Sequence, residues 1–139
     1  MDYLPIFLDL RGRKGLLVGG GDTAARKASL MLNAGAWVHV VSPTPLADAF
    51  RELAGSDRLV HIESAFQESH LDGADVVFAA SEDDALNQAV HDAARARHVP
   101  VNVVDKPAVC SFIMPSIIDR SPVVVAVRSE EHTSELQSH

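Results

Sequence analysis

Apolar and polar positions along the chain fall into two alternating rhythms. Lys14–Val18 is a short apolar run that stops at Gly19-Gly20-Gly21, which predicts a strand ending in a glycine turn. From Thr23 to Asn33 the apolar Ala24, Ala28, Leu30 and Met31 suit a helix buried on one face, with Gly35 as its C-cap. Trp37–Val41 is short and β-branched, hence a strand. Pro43 and Pro45 punctuate the next turn, before an expected helix over Leu46–Ala54 that ends near Gly55. Leu59–Ile62 and Asp75–Ala80 read as two more strands, the second fully buried. A helix is expected over Asp83–His98, with Asp83 or Asp84 near its N-terminus, where the dipole favours an acid. Val99–Val104 returns as a strand, restricted at its start by Pro100. Two apolar segments follow, Ser111–Ile118 and Pro122–Val127.

Strands alternating with helices of this length predict an α/β fold, a mainly parallel sheet with helices on both faces and right-handed crossovers. The 139 residues suit one domain. A formal net charge of −7 argues against a nucleic-acid partner, which would need an excess of Lys and Arg. One cysteine excludes an internal disulfide framework and fits a reducing compartment. The start, MDYLPIFLDL, lacks the basic region of a signal peptide. No stretch approaches the roughly 18 apolar residues of a membrane span. A soluble, acidic, cytoplasmic protein is expected. The last twelve residues, 128–139 (RSEEHTSELQSH), break sharply from the apolar run before them. They cannot bury enough apolar surface to order themselves, and they resemble the in-frame translation of a sequencing-library adapter, so they carry no weight in the fold argument.

The strongest local signal is V-G-G-G-D-T-A, Val18 to Ala24, a G-x-G-x-x-A pattern between a predicted strand and a predicted helix. Gly19 would allow the tight turn, Gly21 close approach of backbone to a pyrophosphate, and Ala24 close packing of helix on sheet. The first N–H groups of the helix, near Asp22 and Thr23, would face the phosphates. The same glycines could instead form a turn without a ligand. A doubly wound, Rossmann-type fold that binds a dinucleotide is the expectation. The carboxylate that usually selects NAD at the end of the second strand is missing from Val40-Val41-Ser42-Pro43-Thr44. Ser42 or Thr44 could hydrogen-bond the ribose, and no Arg follows to indicate NADP.

Asp105 ends an apolar strand in VNVVDKPAVCSFIMPSIIDRSP. Open α/β sheets bind ligands at the carboxyl ends of their strands, so this acid could accept a proton beside a bound dinucleotide. It could equally start the turn before Pro107. Cys110 reads as a small buried residue. Glu82-Asp83-Asp84 reads as a solvated helix start that could also lie near the adenine ribose. No metal site is expected. His39 sits in a strand, His61 and His70 flank a turn, and His91 and His98 are two helical turns apart.

Two blocks, MDYLPIFLDLRGRKGLLVGGGDTAARKASLMLNAGA and NVVDKPAVCSFIMPSIIDRSP, closely resemble the N-terminal module of the siroheme synthase family. The resemblance covers essentially all of residues 1–127. It implies precorrin-2 dehydrogenase chemistry with NAD as cofactor, and a sirohydrochlorin ferrochelatase activity that takes Fe²⁺ as substrate. It implies Asp22 and Thr23 as one NAD-contacting pair and Pro43 and Thr44 as a second. Asp105 matches the acid/base of both activities, and Ser111, Met114, Pro115 and Ser116 border the tetrapyrrole, precorrin-2 or sirohydrochlorin. It implies an NAD-binding domain over 1–127, with 113–127 beginning a dimerisation region of a homodimer. After Val127 the family pattern is lost, so this chain alone could be monomeric and incomplete for activity. A non-catalytic NAD(H)-binding module is the rival reading of the same glycine turn.

Overall fold

The short apolar runs become strands in a computed structural model that describes residues 1–129. In chain order these are β1 (Lys14–Val18), α1 (Asp22–Asn33), β2 (Trp37–Val41), β3 (Leu59–Ile62), β4 (Ala74–Ala79), α2 (Asp84–Ala96), β5 (Val101–Val103), β6 (Ser116–Arg120) and β7 (Val123–Val127). The first five strands form one parallel sheet in the order β3-β2-β1-β4-β5. β6 and β7 pair antiparallel in a separate hairpin. The chain divides into two compact units. Residues 8–111 carry the parallel sheet, and residues 1–7 with those from 112 onward carry the hairpin. Of the tail expected over 128–139, the residues from 130 lie outside those described. Among the described residues no helix is long and apolar enough to cross a membrane.

Alternation along each strand sorts the core into two layers. Leu16 and Val18 of β1 share a face with Val77 and Ala79 of β4 and with Val101 and Val103 of β5, and pack against Val90, Ala93 and Ala94 of α2. The alternate residues face α1. A Cβ on Gly15 would lie 2.5 Å from Met31 Sδ, so α1 rests directly on β1 there. Helices therefore cover both faces, and each fully buried leucine, Leu16 and Leu17 among them, contributes about 2 kcal/mol of apolar burial.

Several elements differ from the periodicity. Between Pro45 and Gly55 the chain makes only a 3₁₀ turn, Asp48–Leu53, tied down by Phe50 in the core and by Ala47 N–H donating to Gly20 O at 2.8 Å. A single buried anchor is too little to hold a full α-helix over so short a span. Asp83 caps α2, accepting from Ala85 N–H at 2.9 Å and Leu86 N–H at 3.2 Å. The helix stops at Ala96 because His98 turns left-handed, φ +58°, ahead of Pro100, so His91 and His98 share no helix face. β5 shrinks to three residues.

His39 in β2 is half-buried, and burial together with the Lys14 charge pushes its pKa below the ordinary 6.5. The folded state thus favours the neutral ring. His39 then opposes stability only where the unfolded ring is charged, so its effect is absent well above pH 6.5 and grows as pH falls through 6.5. Melting temperature is expected to fall between about pH 7 and pH 5, and less steeply in His39→Leu, as thermal melts across that range would show.

Candidate functional site

The glycine turn joins three strand ends. Val18 O accepts Ala80 N–H at 2.9 Å, and Gly19 N–H donates to Val41 O at 3.0 Å. Gly19 adopts φ +131°, and a Cβ there would lie 2.6 Å from Ala80 O. Only glycine fits. A Cβ on Gly20 would crowd Ser42 Oγ at 2.8 Å. Gly21 is different: its φ of −89° suits any residue, and nothing lies within 4 Å of the Cβ it lacks. Neither conformation nor packing inside the chain requires glycine at that position. The open space sits at the N-cap of α1, where no side chain caps the helix. Free first-turn N–H groups and the helix dipole make such a space suited to an anion. A dinucleotide pyrophosphate fits it, and a larger residue at 21 would fill it.

Strand order reverses between β1 and β4, the position at which open α/β sheets form a ligand crevice at their carboxyl edge. Across the turn from Gly19, Asn87 of α2 fixes Ser81. Its Nδ2 donates to Ser81 O at 2.9 Å, and its Oδ1 accepts Ser81 N–H at 3.1 Å and Ser81 Oγ–H at 2.9 Å. That network holds the wall against which Gly19 packs. Its signal in the sequence, a lone Asn inside an apolar helix face, gave no warning of it.

Asp105 follows β5 at the same carboxyl edge. Val104 N–H donates to Ala79 O at 3.0 Å, and Asp105 then turns left-handed, φ +63°, exposed to solvent. Asp tolerates this conformation better than most residues. The loop is tied back to the edge of β5. Cys110 Sγ accepts Val103 N–H at 3.2 Å and lies 3.3 Å from Val103 O. Ser111 Oγ accepts Val101 N–H at 2.8 Å and donates to Val101 O at 3.3 Å. Ser111→Ala would strand that edge N–H, and a loss of about 1 kcal/mol is expected in denaturant unfolding.

The remaining candidates spread along the chain. Asp22 is exposed and Thr23 half-buried, its Oγ1 accepting from Arg26 Nη2 at 3.2 Å. Pro43 and Thr44 are exposed just past β2, while Ser42 is buried with Oγ donating to Thr44 O at 3.2 Å. Met114, Pro115 and Ser116 belong to the smaller unit, where Met114 O accepts from Arg128 Nη1 at 2.7 Å. A cavity of about 150 Å³ lined by Asp84, Asn87, Gln88, Val103, Lys106 and Val109 is smaller than the roughly 300 Å³ at which ligand pockets begin. Among the described residues no group of three or more His, Cys, Asp or Glu converges as a metal site would require.

The periodicity also hid Lys27. This residue of α1 is half-buried, with Nζ 5.8 Å from the centre of the Phe78 ring. Burial lowers its pKa, the Asp105 charge acts in the opposite sense, and Arg26 adds to the lowering.

Comparison with known proteins agrees with this geometry. A family model described as "Putative NAD(P)-binding" matches residues 6–116. The chain is 58% identical over 129 residues to a siroheme synthase of Thiobacillus denitrificans, covering 93% of this chain and 27% of that protein. It is 54% identical, over the same share of this chain, to siroheme synthases of Nitrosomonas eutropha and of Escherichia coli O157:H7. It thus spans little more than a quarter of these relatives. Among solved structures, "SirC, precorrin-2 dehydrogenase" shares the fold, with a TM-score of 0.78 at 24% identity, covering 98% of this chain and 66% of that one.

Proposed function

The chain belongs to the NAD(P)-binding family matched over residues 6–116, and from that premise we propose that it is the dinucleotide-binding part of an enzyme that oxidises precorrin-2 to sirohydrochlorin with NAD⁺. The observation that carries this reading is the open space over Gly21, at a turn only Gly19 can make, with the exposed carboxylate Asp105 on the same carboxyl edge of the sheet. The likeness to siroheme synthases supports the choice of substrate.

Residues 1–127 form the NAD-binding domain in this reading. Main-chain N–H groups of Asp22 and Thr23 hold the pyrophosphate, and Gly19 and Gly21 leave it room. Pro43 and Thr44 border the adenosine ribose. NAD⁺, when bound, accepts the hydride. Asp105 takes up the proton that leaves the macrocycle, and its exposure lets it pass that proton to water. Ser111, Met114, Pro115 and Ser116 are the proposed tetrapyrrole contacts, Ser111 by fastening the Asp105 loop. In a second reaction Fe²⁺ is the substrate: two pyrrole N–H protons depart as the metal enters, and Asp105 can accept them in turn.

Residues 113–127 begin a dimerisation region in the same proposal. Every residue of β6 and β7 is exposed, including Ile117, Ile118, Val123, Val124, Val125 and Val127. So much exposed apolar surface in one hairpin favours burial against a second copy of the chain. A cytoplasmic setting suits a protein with one cysteine, held free as Cys110.

The experiment mixes the chain with precorrin-2 and NAD⁺ and follows NADH by absorbance. NADH formation that depends on the tetrapyrrole is expected. NAD⁺ binding without any such formation would leave a nucleotide-binding module and remove the dehydrogenase reading.

A further inference from the structure

Burying a lysine ammonium costs free energy unless an opposite charge or an aromatic face offsets it. In α1, Lys27 is buried in part, and two features offset the cost: the Phe78 ring at 5.8 Å and the charge of Asp105. Phe78 lies on the α1 side of the sheet, paired in register with Asn102 of β5, three residues before Asp105. A helix, a central strand and the edge-strand loop thus bring one cation to the acid. The charges acting on Lys27 are Asp105, which favours the ammonium, and Arg26 of its own helix, which opposes it.

We propose that Lys27 is the positioning residue of Asp105: its ammonium, steadied over Phe78, is the counter-charge that holds the carboxylate at the carboxyl edge of the sheet. The proposal rests on the reading of Asp105 as proton acceptor for its functional meaning, while the pairing itself stands on the packing of Lys27. Asp105 has a left-handed backbone and lies exposed in its loop. Only a charge fixed by the core can restrict how such a side chain orients. Lys27 meets that need because its stem is packed under α1 and cannot follow the loop. Arginine could serve in its place; methionine, equal in bulk and uncharged, could not.

Two measurements test this on the full 139-residue chain. The first is the NMR titration of the Lys27 side chain in the natural protein and in Asp105→Asn. Loss of the favourable charge should lower the Lys27 midpoint further, by about half a unit or more, and Asp105→Glu should restore it. A midpoint unmoved in Asp105→Asn overturns the pairing, whatever Asp105 does in the reaction. The second compares Lys27→Met and Lys27→Arg in NAD⁺-dependent precorrin-2 oxidation. The methionine variant should lose about tenfold in kcat with KM for NAD⁺ little changed, and the arginine variant should keep most of the rate. Equal rates in all three proteins overturn the positioning role. If Asp105→Asn turns over normally yet the Lys27 midpoint moves, the charge pair stands and the proton-acceptor reading fails.

Discussion

Gly21→Val is expected to abolish NAD⁺ binding and leave the fold standing. The backbone at 21, φ −89° and ψ −169°, is open to any residue, and the space beyond its missing Cβ is empty to 4 Å. Valine is a poorer N-cap than glycine and should cost about 1 kcal/mol of stability. Its branched side chain would occupy the space proposed for the pyrophosphate. The dissociation constant should rise at least about 100-fold, which is roughly 2.7 kcal/mol of lost binding. Gly19→Val should behave in the opposite way. Its φ of +131° and the Ala80 carbonyl 2.6 Å from a Cβ place the penalty on folding itself, at about 3 kcal/mol or more. Thermal melts and calorimetric NAD⁺ titrations of the two variants would separate fold from ligand. Natural NAD⁺ affinity in Gly21→Val would remove the glycine turn from the site.

Asp105→Asn is expected to cut precorrin-2 oxidation by about 10²–10⁴-fold while NAD⁺ affinity stays within about twofold. Asparagine is the informative replacement because it tolerates the left-handed backbone, φ +63°, nearly as well as aspartate. It also matches aspartate in shape, so only the capacity to take a proton is lost. Asp105→Ala adds backbone strain of about 1 kcal/mol and so mixes two effects. The rate of NADH formation with precorrin-2 as substrate is the readout, and an unchanged rate in Asp105→Asn would take the residue out of the mechanism.

Local chemistry made much of the fold legible. β1, β2 and β3 have the bounds expected from their apolar runs, and α1 begins one residue earlier than its periodicity implied. These elements carry their own signals: β-branched runs, a glycine stop and an Ala-rich helix. Elements whose form depends on distant partners were less legible. The segment after Pro45 has one core anchor, Phe50, and tightens to a 3₁₀ turn. The end of α2 depended on where His98 reverses ahead of Pro100. Tertiary pairing also decided the site. The sequence placed Asp105 at a strand end, but nothing within a few residues of Lys27 marks it as a neighbour of that acid. Their proximity follows from the sheet order β1-β4-β5. Ser111 illustrates the same limit, since its hydroxyl is spent on the Val101 backbone ten residues away.

The central claim is that NAD⁺ lies over the glycine turn at the start of α1. Titration of the ¹⁵N-labelled chain with NAD⁺ tests it most directly, residue by residue. The largest amide shifts are expected from Gly19 to Ala24, with smaller ones at Thr44 and Asp105. Saturable shifts elsewhere with the Gly19–Ala24 amides unmoved, or no shifts at all at millimolar NAD⁺, would contradict it.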